Sequence, residues 1–112
     1  MGKVRGKSDP LCIVLVAVGT LREARKIARA LLTAKLAACV NIVPRIESHY
    51  WWKGRIDTAG EYLLVIKSAR RHFRNLCVVV KKAHSYETPE IVAIPIDAAE
   101  SCYGAWWTGS MS

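Results

Sequence analysis

Several kinds of protein are excluded by what this 112-residue sequence does not contain. No apolar run reaches the ~18 residues that a membrane-spanning helix needs. There is no G-x-S-x-G nucleophile elbow, no Walker loop and no cysteine with a histidine near it in sequence, so neither a hydrolase nor a transferase finds support. The four cysteines, Cys12, Cys39, Cys77 and Cys102, include no C-x-x-C pair. Each lies among apolar neighbours, and a domain of this length needs no disulfide framework. They are expected to be reduced, buried, small hydrophobes. Internal repeats and low-complexity segments are absent as well.

Acidic residues are scarce, with 9 Asp and Glu against 17 Lys and Arg, for a net charge of +8. Such an excess raises nucleic acid, anionic membranes and acidic ligands as partners. The charge is not one block. Lys3, Arg5 and Lys7 sit in a polar start, Arg22, Arg25, Lys26 and Arg29 recur at helical spacing, and Arg70, Arg71 and Arg74 do much the same later. These are either solvated helix faces or a used electrostatic surface. Hydrophobic residues make up 52%, a little high for a monomer that faces water all round.

The length fits one domain, expected over residues 10–109 behind a disordered tail at 1–9. The basic start and "LCIVLVAVGT" imitate a signal peptide. Cleavage near Gly19 would remove a good first strand, so a cytoplasmic protein is expected. "LCIVLVAV" is apolar without alternation, as in a strand buried on both faces. Thr20 and Glu23 form a capping box for a helix to about Lys35, with Ala24, Ile27, Ala28, Leu31 and Leu32 as its apolar stripe. Residues 37–52 and 55–68 make a long hairpin turning at Lys53-Gly54. Pro44 implies an edge, a bulge or a bend, and Gly60 a bulge. Residues 69–82 form a second helix, "IVAIPI" a last strand, and Ala98 to about Trp107 a short helix.

This β-α-β-β-α-β order is the ferredoxin-like split βαβ arrangement, an α+β fold. Its two helices cover one sheet face. The strands are apolar on both, so the open face would exceed the ~300–600 Å² patch usual for a monomer. Self-association through that face is expected, with the projecting hairpin as a second contact.

"LLTAKLAACVNIVPRIESHYWWKGRI", then Glu61 and "VIKS", then "HSYETPEIVAIPI", then Tyr103 and Trp106, resemble the CutA family of divalent-cation-tolerance proteins. The resemblance runs over about residues 11–107. It implies a ferredoxin-like homotrimer whose open sheet faces meet inside, an association with copper and other divalent metals, and a likeness to PII-like signalling proteins that bind small molecules between subunits. It implies no catalytic reaction. Some bacterial members carry a Cys in strand one and two adjacent His at the end of helix two, connected with copper. The matching positions here are Val16 and Ala83-His84, so metal binding is expected to be weak. The usual Tyr-Leu-x-Trp-Ile ending is Tyr103-Gly104-Ala105-Trp106-Trp107.

His84 is the best metal-ligand candidate, since imidazole nitrogen suits copper, zinc or nickel. Glu87 and Glu90 could assist. Alternatively His84 caps the helix end. Tyr86 and Glu90, held by the rigid turn at Pro89, either line a cleft between subunits or belong to a packed connector. Glu61 and Lys67 bracket an apolar strand and need partners, across a subunit boundary or on a ligand. Asn41 and Trp52 complete the expected cleft or interface set. The cluster Tyr50-Trp51-Trp52 either stacks on a ligand or docks on a neighbour. Cys39 has no cationic neighbour in the local sequence and is expected to be packing.

Two functions follow. One is a trimeric protein of divalent-cation tolerance or metal response that binds copper or another divalent cation weakly. The other is a PII-like regulatory trimer that takes a small molecule between subunits. RNA binding in the manner of an RRM is disfavoured, because the central strands offer no aromatic platform beyond Tyr62.

Overall fold

A computed structural model describes residues 10–112; the tail expected at residues 1–9 lies outside the described residues. Strand β1 (Leu11–Val18) buries Cys12, Val14, Val16 and Val18 against the helices and leaves Leu11, Ile13 and Leu15 half-buried on the other face. Val16, matched by the resemblance to a cysteine of some bacterial members, is thus a core residue. Thr20 starts α1 (Leu21–Thr33) by accepting the Glu23 N–H on Oγ1 at 3.1 Å. The reciprocal half of the expected box is not made, because the Glu23 carboxylate is engaged elsewhere. Ala24, Ile27 and Leu31 are buried, but Leu32 is exposed. It sits ~100° around the helix from Leu31, off the stripe.

Strands β2 (Cys39–Trp52) and β3 (Arg55–Ala69) form the long hairpin. Lys53 (φ 51°) and Gly54 (φ 79°) carry the two positive φ angles of a type I′ turn, whose twist matches the strands. Pro44 lies on an edge strand and at a bulge. The register slips by one residue between Val43 and Ile46, with Arg45 left-handed at φ 56°. The bulge expected at Gly60 is therefore in the facing strand. Gly60 stays in register opposite Glu47, and its role is clearance: a Cβ there would meet Arg45 Nη2 at 3.1 Å.

A 3₁₀ turn (Arg70–His72) leads into α2 (Phe73–Ala83), which buries Leu76 and Val80. Ala69 is still extended, so the helix begins later than its periodicity suggests. Strand β4 (Ile91–Pro95) follows, then α3 (Ser101–Ser110). The last helix starts after Glu100, whose carboxylate accepts the Tyr103 N–H at 2.9 Å.

The sheet is antiparallel with order β2-β3-β1-β4. The core lies between its inner face and α1 and α2. Trp107 of α3 and Met111, the residue that caps it, close one end of the opposite face, over Leu11, Ile13 and Ala38. Trp107 Nε1–H donates to the Ser68 carbonyl at 3.0 Å, and Ser68 Oγ donates to the Leu36 carbonyl at 2.7 Å. Beyond α3 that face stays apolar and open, with Val43, Val92 and Ile94 exposed. The hairpin projects well past the body. The radius of gyration is 15.2 Å, against about 13 Å for a compact domain of this length.

All four cysteines are free, and Cys12 is buried. Burial pushes the Cys12 and Cys77 thiols above their usual range. The other three depart from the expected burial: Cys39 and Cys77 are half-buried, and Cys102 is exposed. Trp107 carries the burial of its helix instead.

Candidate functional site

Residues 84–86, which open the connector to β4, are held in place by hydrogen bonds from three directions. His84 ends α2 in an extended conformation (φ −90°, ψ 139°). Its ring is buried, and Nε2 lies 2.7 Å from the Ala17 carbonyl. A carbonyl only accepts, so Nε2 carries the proton and His84 is assigned as the neutral Nε2–H tautomer. Its Nδ1 then accepts the Tyr86 N–H at 3.0 Å. Both ring nitrogens are thus engaged. From α1, Glu23 accepts the Ser85 N–H at 2.6 Å and the Ser85 hydroxyl at 3.0 Å. This contact is why the capping box stays half-formed. The Tyr86 ring lies 4.7 Å from that of His84, and its O–H donates to Glu61 Oε2 on β3 at 2.8 Å. The phenol end passes over Gly19, where an added Cβ would approach its oxygen to 3.3 Å.

Between this connector and the base of the hairpin lies a cleft of about 790 Å³. It brings together Trp52, Glu61, Tyr86 and Glu90, four of the residues singled out from the sequence. Tyr50 and Glu87 join them, as does Asp57, which sequence reasoning missed. The ladder pairs Asp57 with Tyr50, so hairpin register was the signal that could have found it. The lining includes four of the chain's nine acidic residues and neither Lys nor Arg. In a chain of net charge +8, this is a local reversal of sign. Apolar and aromatic walls strengthen the field of such a group of carboxylates. The Tyr86 phenol is pushed up to about 12 by burial, then by its bond to the Glu61 carboxylate.

Three other candidates lie apart. His84 packs behind Tyr86 and does not line the cleft. Asn41 and Lys67 occupy the open sheet face toward its other end. Glu61 and Lys67, six residues apart on one strand, are separated by ~20 Å and do not meet within the chain. Lys67 Nζ instead sits 5.5 Å from the Tyr103 ring centre. A hydrogen bond with Tyr103 holds its ammonium above the usual range. The sequence around Cys39 holds no cation, but the fold brings Lys67 directly across the ladder from it. The Cys39 thiol points to Asn41 Oδ1 at 3.8 Å.

The CutA1 divalent ion tolerance protein family model matches residues 12–110. The chain belongs to the CutA1 family. The divalent-cation tolerance protein CutA of Thermus thermophilus is 44% identical over 94 residues, covering 84% of this chain and 91% of that one. Its solved structure superposes with a TM-score of 0.85 over 87% of this chain and 94% of that chain, at 42% identity. The periplasmic divalent cation tolerance protein CutA of Archaeoglobus fulgidus gives a TM-score of 0.88 at 37% identity, covering 91% and 99%. The chloroplastic Protein CutA 1 of Oryza sativa is 41% identical over 101 residues, 90% of this chain. This chain spans only 57% of that plant relative's length. The CutA1 match takes in the whole cleft and the connector beside it. Among the described residues no helix is long and apolar enough to cross a membrane.

Proposed function

We propose that the protein acts in tolerance of, or response to, divalent metal ions, as a cytoplasmic homotrimer that binds metal weakly and catalyses no reaction. The observation that carries this reading is the acidic cleft, free of Lys and Arg, in an otherwise basic chain. Such a group of carboxylates draws cations against the chain's net positive charge. The family's divalent-cation tolerance relatives support the same assignment. The exposed apolar face at Val43, Val92 and Ile94 supports self-association.

The donor set fits a loosely held ion. Among the described residues, no three His, Cys, Asp or Glu side chains converge as a metal cage. Glu61 and Glu90, with Asp57 and Glu87 near them, supply carboxylate oxygens. His84 is a second-rank ligand in this fold, because ligation through Nδ1 requires the Tyr86 N–H to leave it. Copper(II) outranks zinc on the usual divalent order. The aromatic walls Tyr50, Trp52 and Tyr86 favour one other reading, a PII-like trimer in which the same cleft takes a small molecule.

Calorimetric titration of copper(II) and zinc near neutral pH tests the proposal. Micromolar or weaker binding is expected, tighter for copper. It should weaken several-fold in a Glu61→Gln, Glu90→Gln double variant and less in His84→Ala. Nanomolar binding that survives all these changes would place the metal elsewhere, and no binding of either metal would give the small-molecule reading the lead.

A further inference from the structure

The helix layer carries a second charged surface, on the side of the molecule opposite the open sheet face. Arg22, Arg25, Lys26 and Arg29 of α1 are all exposed, as are Arg74, Lys81 and Lys82 of α2. On each helix these residues lie opposite the buried stripe, so they point away from the sheet. The only acidic residue on either helix is Glu23, and both its oxygens bond Ser85. None of the seven basic side chains is in an ion pair among the described residues. Their charge is uncompensated, and like charges so close destabilise a helix surface unless something neutralises them.

We propose that this face is a sequence-independent docking surface for the phosphate backbone of duplex nucleic acid. The geometry fits. Arg22 to Arg29 spans ~10 Å along α1 and Arg74 to Lys82 ~12 Å along α2. The two helices pack side by side, which sets two basic rows ~8–10 Å apart. That separation lies between the ~6 Å minor and ~12 Å major groove widths of B-DNA, and the long Arg and Lys side chains cover the difference to the phosphates flanking a groove. Four of the seven are Arg, whose planar fork grips phosphate through two hydrogen bonds. Base stacking on the sheet has no aromatic platform, but phosphate contact through helices requires none.

Two other anionic partners fit less well. Helices that lie in a membrane interface sink an apolar face into it. Here the apolar faces of α1 and α2 are in the core, and only Leu32 and Val78 show on the outer side. A protein partner would look for an aromatic anchor or a pocket for one, and α1 and the exposed side of α2 present no aromatic.

The test is fluorescence anisotropy of a labelled random-sequence DNA duplex with the full chain, at several salt concentrations. With four phosphates engaged, affinity falls on the order of 100-fold between about 50 and 200 mM salt. The paired change Arg25→Glu with Arg29→Glu, and separately Arg74→Glu with Lys82→Glu, should each weaken binding at least tenfold. Lys53→Glu with Arg55→Glu, at the hairpin tip, changes net charge equally and should leave affinity within a few-fold. All six side chains are exposed, so the fold should tolerate each pair, and circular dichroism verifies it. Equal losses in all three pairs would reduce the effect to net charge and overturn the proposal. So would binding to vesicles with about a third phosphatidylserine but not to the duplex, or binding insensitive to salt.

Discussion

Replacing Tyr86 by Phe removes one oxygen from the contact that closes the cleft. The Tyr86 O–H donates to Glu61 at 2.8 Å, and Glu61 is 7% exposed whereas Tyr86 is 39% exposed. A hydrogen bond to a charged group contributes ~1.5–3 kcal/mol. Solvent reaches the phenol, so the lower end applies, and Tyr86→Phe should cost about 1–1.5 kcal/mol. The ring, its contact with His84 and the backbone bond from Tyr86 N–H are retained. Denaturant unfolding at a fixed protomer concentration measures the loss, since the proposed self-association would make stability concentration-dependent. A double-mutant cycle with Glu61→Gln isolates the pair and should return about 1 kcal/mol of coupling. The phenol also sets a pH signature. Its folded value is raised to about 12, above the ~10 of an unfolded tyrosine. The stability it contributes is complete below about pH 10 and lost as pH rises toward about 12, so the gap between wild type and Tyr86→Phe should narrow across that window. A coupling under about 0.3 kcal/mol, or a gap that stays constant from about pH 8 to about pH 11, would refute the reasoning.

Trp52→Ala should weaken self-association far more than Lys53→Ala, because large aromatics dominate interface energetics; sedimentation showing equal effects, or a stable wild-type monomer at micromolar concentration, would contradict this. Trp107→Phe keeps a ring over Ala69 but loses the N–H donated to the Ser68 carbonyl, for about 1 kcal/mol. Trp107→Ala also empties the site, for about 3–5 kcal/mol. Thermal melts that fail to separate the two variants would show that the C-terminal helix does not seal the sheet as described.

Features written into short-range sequence were readable. Thr20 announces α1, Lys53-Gly54 announces the turn, and Pro44 announces a broken edge strand. Asn41, Trp52, Glu61, Lys67, Tyr86 and Glu90 were expected as one set; Trp52, Glu61, Tyr86 and Glu90 line one cleft, and Asn41 and Lys67 lie apart from it. The rest depends on pairings that no local window holds. Glu23 meets Ser85 across 62 residues of chain, so a residue that looks like half of a capping box is a clamp on the connector. Asp57 and Lys67 acquire their neighbours only through strand register. His84 looked like an open ligand because nothing in "KKAHSYE" shows that the Ala17 carbonyl lies 2.7 Å from its ring.

The single extra residue in β2 decides which half of the hairpin's surface looks at the cleft. Up to Val43 the odd-numbered residues of β2 share a face with Leu63, Val65 and Lys67; from Ile46 onward the even-numbered residues share it with Glu61. Side chains alternate with a strict period of two, so this one-residue insertion acts as a phase shift. It turns Tyr50 and Trp52 inward and leaves Trp51 and its ladder partner Ile56 outward, at 72% and 65% exposure. Pairing the same residues without the bulge would keep the odd-numbered ones on that face, aiming Trp51 at the carboxylates and Tyr50 and Trp52 at water; deleting Arg45 would instead straighten the strand and leave Ile46 opposite Glu61, with Tyr50 and Trp52 still inward. The hairpin therefore carries two aromatic faces on one backbone, and the chain selects between them by counting, without altering a single aromatic residue.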